Sequence, residues 1–257
     1  MKPTTLILLF LSITSLTFAQ GKLDRAKESL KSSTSKDSYS SSDDSELGSA
    51  AGGFFADMFG NIFAFAFIGN LEPKNFYPYP YAADRIGEYG YPESNPAGKK
   101  SKFVISNTMA FQVSTFANDL RLNYRFIPIL GLEANHLHFF DELDEGSELS
   151  ISSMMLNFYR IRERNVTGYW GLGASYVGSD VNTMGFAYNV GMDIYIAKPI
   201  SLNLYWKQRF INETSINEIR VYPKYHIKKL AVYGGFIHYK IGAEGFPSAA
   251  AGIEYRF

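Results

Sequence analysis

The sequence predicts an all-β chain, a closed antiparallel transmembrane β-barrel of about ten strands (eight is the alternative count). A Ser-rich tether and a short apolar segment, read as helical, precede it. Three observations point there. Beyond Ser101 apolar and polar residues alternate with period two, the pattern of strands with one dry and one polar face. Tight turns alternate along the chain with longer connections. The chain also stops inside such a pattern, at Gly252-Ile253-Glu254-Tyr255-Arg256-Phe257, where apolar and charged side chains each have their own solvent.

Residues 1–19 read as a secretory signal peptide cleaved after Ala19. Lys2 supplies the positive start, residues 6–16 an apolar run, and Thr17-Phe18-Ala19 places small residues where a cleavage site needs them. The run is short for a membrane span, which takes ~20 residues. Residues 20–49 are expected to be a disordered tether, dominated by Ser from residue 32 onward and too poor in apolar surface to offset ordering entropy. Within it, Leu23, Ala26 and Leu30 set among charges fit a short helix.

Residues 50–69 form an apolar amphipathic segment, with Phe54, Phe55, Met58, Phe59, Ile62 and Phe63 at helical spacing. A helix lying on the membrane, a helix docked on this chain or a partner, and a buried strand over residues 62–68 all fit. Residues 70–100 are rich in Pro, Tyr and Gly. The run Tyr77-Pro78-Tyr79-Pro80-Tyr81 favours an extended, polyproline-like strip packed along its own domain.

Residues 101–257 hold the barrel. Its ten segments lie near residues 103–113, 120–126, 132–140, 149–161, 167–177, 184–194, 201–210, 218–225, 230–241 and 248–257. Parity is clean in 184–194 and 201–210 and unclear near His136 and His138 and across residues 150–160. Short turns at 127–130, 162–165, 197–200 and 227–229 fall on the end of the C-terminus. Longer loops are expected opposite, at 114–118, 141–148, 178–183, 212–217 and 243–248. Transmembrane barrels share that asymmetry, their periplasmic turns being the short ones. Pro223 lacks an amide and fits only near a strand end or bulge.

Composition narrows the function classes. Formal net charge is zero, so nucleic acid is not an expected partner. Absence of Cys removes disulfides, thiolate metal sites and thiol nucleophiles. Aromatics reach 16%, as two interfacial girdles or an aromatic β core would require.

The final strand, Ala249-Ala250-Ala251-Gly252-Ile253-Glu254-Tyr255-Arg256-Phe257, resembles the C-terminal assembly signal of Gram-negative outer-membrane β-barrels, with Ile253, Tyr255 and Phe257 at every second position. Residues 101–257 are accordingly similar to the small outer-membrane β-barrel proteins. The resemblance implies location in the cell outer membrane, outer-membrane lipid as surroundings and insertion by the barrel assembly machinery. It does not extend to residues 20–100, where an envelope protein docking on residues 50–100 is the further partner expected. A secreted sandwich or lipocalin-like barrel, its apolar face turned inward, is the soluble alternative.

With the apolar parity toward lipid, the polar parity turns Arg121, Arg125, Asp193, Lys207, Arg209, Glu218, Arg220, Lys240, Glu254 and Arg256 into the lumen as a charge network. Barrels of eight to ten strands are mostly filled by side chains. The expectation is therefore a scaffold or adaptor with a filled lumen. The alternative is a narrow pore preferring small anions, since seven of those ten charges are basic. A rim-located lipid hydrolase or acyltransferase is the second alternative. No nucleophile elbow or His-x-Ser arrangement accompanies His136, His138, His226 or His238, so no catalytic residue, cofactor or metal ligand is assigned. The acidic run at 141–146 lacks the spacing of a calcium loop.

Overall fold

The computed structural model describes residues 21–31, 72–93, 95–112, 115–141 (Asp141 by its backbone only) and 148–257. The expected signal peptide, the Ser-rich run from residue 32, the apolar segment 50–69 and most of the acidic loop lie outside these residues. Helix α1, Lys22–Lys31, comes first, then a two-stranded hairpin, β1 Asn75–Phe76 and β2 Tyr89–Gly90. Ten long strands follow: β3 Lys102–Phe111, β4 Thr115–Ile127, β5 Leu130–Asp141, β6 Glu148–Arg162, β7 Val166–Val177, β8 Thr183–Ala197, β9 Ile200–Ile211, β10 Thr214–Ile227, β11 Leu230–Ile241 and β12 Glu244–Arg256. Each pairs antiparallel with its chain neighbours, and β12 closes on β3, with Tyr255 opposite Ile105 and Gly252 opposite Thr108. The barrel is closed at ten strands.

Period two dictates the two faces. Leu122, Leu132, Leu156, Val190, Val221 and Ile253 stand exposed on the outer wall. Tyr124, Phe126, Tyr225, Tyr255 and Phe257 ring it near the C-terminal end, and Phe111, Tyr176, Phe186, Phe210 and Phe236 near the other. An apolar wall of this extent between two aromatic belts is the exterior of a membrane-spanning barrel, with every strand edge paired by closure. Pro223 points outward, and the β10–β11 pairing skips Tyr222 and Pro223 opposite Gly234 and Gly235. The missing amide therefore falls where the ladder is already interrupted.

The end bearing the C-terminus, called the turn end here, carries the connections 128–129, 163–165, 198–199 and 228–229. At the opposite, loop end the connections at 212–213 and 242–243 are two residues long, correcting the longer loops expected there. β10 and β12 begin earlier than their alternation shows, because Ile216 and Phe246 put apolar side chains on the inner face, where polar ones were expected. The length asymmetry rests on 142–147 and 178–182.

Polar residues do not line the whole interior. Toward the loop end the inward positions are apolar: Leu137 and Phe139 on β5, Leu149 and Ile151 on β6, Ile237, Tyr239 and Ile241 on β11. They receive α1, whose Leu23, Ala26 and Leu30 are fully buried among them. The helix fitting Leu23, Ala26 and Leu30 thus occupies the first part of the expected tether. Ten residues make only a marginal helix alone; docking holds this one. Arg25 Nε donates to Glu244 Oε1 at 2.7 Å, Lys22 Nζ to the Gly245 carbonyl, and the Leu30 carbonyl accepts from Asn212 Nδ2. Each buried Leu contributes about 1.5–3 kcal/mol. A Leu30→Asp chain is expected to keep its barrel but lose its stopper, with trypsin cutting at Lys27 and Lys31 much faster; an unchanged cleavage rate would contradict the docking.

Candidate functional site

Below the stopper the lumen is crossed by ion pairs. β4 and β5 supply Asp119, Arg121, Glu133 and Asn135, while β9 and β10, on the far side of the closed sheet, supply Tyr205, Lys207, Arg209, Glu218 and Arg220. Glu218, fully buried, meets Arg209 at 2.6 Å, Arg220 at 3.0 Å and, across the lumen, Arg121 at 3.2 Å. Arg121 also pairs with Glu133 at 2.6 Å and Asp119 at 2.8 Å. Glu133 in turn takes Lys207 at 3.1 Å and the Tyr205 hydroxyl at 2.8 Å. Asn135 donates to Asp119, and Asn157 to Glu133, leaving few acceptor positions open. Opposite walls are thus bonded directly to each other.

Nearer the turn end, Lys224 joins Glu254 at 2.7 Å and reaches Asp193 at 3.9 Å. His226 pairs with Ser201 at 2.7 Å. The residual cavity there has a volume of about 80 Å³ and is lined by Arg125, Tyr159, Asp193, Tyr195, Lys224 and Glu254 among others. That is room for a few waters and well short of the ~300–1,000 Å³ of small-molecule pockets.

Residues 72–100 seal the turn end. The extended strip expected over Tyr77–Tyr81 does pack along its own barrel, but it breaks at Tyr81, whose φ is 64°, into a 3-10 turn at Ala82–Asp84. The Tyr81 hydroxyl donates to the Ile200 carbonyl, Asp84 pairs with Lys198 at 2.6 Å, and Lys74 Nζ donates to the Arg162 carbonyl. At the centre sits Glu88, 0% exposed, which enters the barrel mouth and meets Lys102 at 2.5 Å, Arg125 at 2.8 Å and Arg256 at 3.1 Å. Thr167 Oγ1 donates to the same carboxylate at 3.2 Å. Three bulges, at Arg125/Ile127, Tyr159/Ile161 and Tyr195/Ala197, all lie at this end. The second reverses parity within β6, so Arg162 turns inward and bonds the Glu72 carbonyl.

Burial alone would raise the Glu88 carboxyl, but Arg125, Lys102 and Arg256 outweigh it and hold it well below the usual carboxylate range. A depressed pKa of this kind stabilises the docked cap fully above the ordinary value and is lost as pH falls through the folded one. Protease protection of residues 72–100 is therefore expected to stay level from pH 8 down to about 5 and to fail only below about 4. A loss of protection near neutral pH would contradict Glu88 as the anchor.

Of the ten lumen charges expected, Arg121, Arg125, Asp193, Lys207, Arg209, Glu218, Arg220, Glu254 and Arg256 face the interior. Lys240 does not, and is corrected: it is exposed on the outer parity of β11 with Val232 and Phe236. The inner face of β11 is apolar at Ile237, Tyr239 and Ile241 against α1, so polarity does not mark the lumen side there. Sequence reasoning missed Glu88, Asp119, Glu133, Lys102 and Lys224. With them, the ion pairs of the lumen join eight basic side chains (Lys102, Arg121, Arg125, Lys207, Arg209, Arg220, Lys224, Arg256) to six acidic ones (Glu88, Asp119, Glu133, Asp193, Glu218, Glu254). The positive bias seen in sequence was largely counter-charge not yet located.

His136 and His138 stack at 6.4 Å on the outer wall, and His136 Nδ1 lies 2.9 Å from Ser152 Oγ across the strands. Among the described residues no carboxylate pairs with His136, and no group of three or more His, Asp or Glu is placed to hold a metal ion. Ile253, Tyr255 and Phe257 all stand exposed on the outer wall, Phe257 with its ring 4.9 Å from Tyr255.

No family model and no curated protein matches this chain. Solved structures it is similar to include the KdgM porin, 10% identical with a TM-score of 0.39, covering 60% of this chain and 99% of that one. The Yersinia pestis outer membrane protein Ail in a phospholipid nanodisc is 12% identical with a TM-score of 0.36, covering 61% and 98%. OprG from Pseudomonas aeruginosa is 14% identical with a TM-score of 0.34, covering 62% and 96%. The closed sheet and apolar wall, rather than these likenesses, make this chain a membrane barrel.

Proposed function

We propose that this chain is an outer-membrane β-barrel with a structural or interaction role, a sealed anchor that presents residues 72–100 on the periplasmic face to an envelope partner. The observation that carries this reading is the lumen itself, bridged from wall to wall by Arg121–Glu218 at 3.2 Å and Lys207–Glu133 at 3.1 Å. Solute passage would require breaking these pairs. The test is affinity purification of the intact chain, after chemical cross-linking in cells, beside a chain lacking residues 72–100. A partner retained only by the intact chain supports the adaptor role, and identical partners, or none, in both would sink it.

The second reading is a narrow pore for small anions, favoured by the eight-to-six surplus of basic side chains among the lumen's ion pairs. It requires cap and network to open together. An enzymatic role in lipid hydrolysis or acyl transfer is not part of this proposal, since Ser152–His136 has no orienting acid among the described residues.

Assembly by the barrel assembly machinery is the partner relation that Ile253, Tyr255 and Phe257 would serve. Phe257→Ser is expected to lower the amount of heat-modifiable, folded barrel in membranes several-fold while leaving the lumen contacts of any folded fraction intact. Normal insertion of that variant would remove the assignment.

A further inference from the structure

The turn end holds a second cavity, of about 300 Å³, between the cap and the turn 163–165. Its floor and walls include Lys74 and Arg162, both buried, and Tyr77 and Tyr89, while Arg85, Tyr91 and Arg164 form its exposed rim. Close backbone approach shapes it. A Cβ on Gly87, where φ is +85°, would fall 1.8 Å from the Arg164 carbonyl oxygen, so glycine lets the turn sit directly against the cap. A Cβ on Gly90 would lie 2.5 Å from the Tyr77 hydroxyl, so glycine there lets that ring line the wall.

The charge of this cavity differs from the rest of the interior. Elsewhere buried cations converge on shared carboxylates, three of them on Glu88 and three on Glu218. Here four cationic side chains line one space with a single acid on its wall. That acid, Glu163, is 64% exposed and stands 3.8 Å from Lys74 Nζ. Glu72, just outside, receives the Tyr91 hydroxyl at 3.3 Å. Arg85 spends one donor on the Tyr77 hydroxyl at 2.8 Å, which orients its guanidinium and leaves its other donors available. The Tyr91 ring, with Lys74 Nζ 5.2 Å from its centre, offers a flat, half-exposed face beside the cations.

We propose that this cavity binds an anionic sugar, a monosaccharide unit bearing a carboxylate or a phosphate. The anion would lie between Arg85 and Arg164 over Lys74, and the ring would rest against Tyr91. Guanidinium forks match both anions in geometry, and the volume is at the low end of small-molecule pockets, the size of one sugar. The site stands whether the barrel is an anchor or a pore.

Titration calorimetry of the intact chain in detergent tests it, with glucuronic acid, glucose 6-phosphate and glucose as probes. At least one of the two acidic sugars is expected to bind about tenfold or more tightly than glucose, and which one does identifies the anion. Arg164→Ala, at an exposed rim residue, should reduce that affinity at least tenfold with protease protection of the cap unchanged, and the double variant Arg85→Ala/Arg164→Ala, which also loses the bond to Tyr77, should reduce it further; Tyr91→Ala should weaken both acidic probes without altering the preference between them. Equal binding of glucose, absence of binding by both acids at about 10 mM (an affinity below ~3 kcal/mol), or an unaltered double variant would overturn the proposal.

Discussion

Replacing Glu88 with alanine is expected to undock residues 72–100 and leave the barrel standing. Lys102, Arg125 and Arg256 all converge on that one carboxylate in a space buried from bulk solvent. Removing one partner of a buried ion pair costs about 3–5 kcal/mol, because the remaining charge stays desolvated without compensation. Here three charges are left. Relief is available only by letting water in, which means lifting the cap. Limited proteolysis should cut within residues 72–100 at least a hundredfold faster in Glu88→Ala, an effect that corresponds to about 2.7 kcal/mol of lost docking. Glu88→Gln should be intermediate, since the amide keeps the shape and one acceptor oxygen but not the charge. A cap as protected in Glu88→Ala as in the natural chain would remove Glu88 from its central place.

Glu218→Ala is expected to act on the barrel rather than the cap. Its carboxylate ties Arg209 and Arg220, on its own side, to Arg121 on the opposite wall. Without it three guanidiniums face one another across a narrow lumen, and the remaining acids, Asp119 and Glu133, pair with only part of that charge. Loss of about 3–5 kcal/mol follows from the same reasoning. Urea unfolding of the barrel in detergent, followed by the tryptophans Trp170 and Trp206, should show a lower midpoint. The double variant Glu218→Ala/Arg121→Ala should recover part of the loss, because it removes a stranded charge along with its partner. A midpoint unchanged by Glu218→Ala would mean that the lumen is hydrated enough to screen these charges.

Strands β8 and β9 were legible residue by residue because their inner faces stay polar or small from Ala187 to Asp193 and from Ser201 to Arg209. β5, β6 and β11 were not, and α1 is the reason. Where the helix seats, the inner positions become Leu137, Leu149 and Ile237, so apolar residues occur on both faces and parity loses its meaning. The same effect misplaced Lys240. In β6 the bulge at Tyr159/Ile161 adds a second reversal that no alternation pattern can reveal. Glu88 was hidden differently, as one acid in a Gly- and Tyr-rich stretch whose partners Lys102, Arg125 and Arg256 are brought to it only by closure. One signal did point to it. Seven basic residues among ten lumen charges demand counter-charges, and Glu88, Asp119 and Glu133 are among those that answer the demand.

Single-channel recording of the intact chain in planar lipid bilayers tests the sealed lumen most directly. With α1 in one mouth, the Glu88 cap in the other and the Arg121–Glu218 bridge between them, membranes containing the folded barrel should stay at baseline conductance across both polarities of applied voltage. Steady openings by the intact, folded chain, whatever their ion preference, would contradict the account.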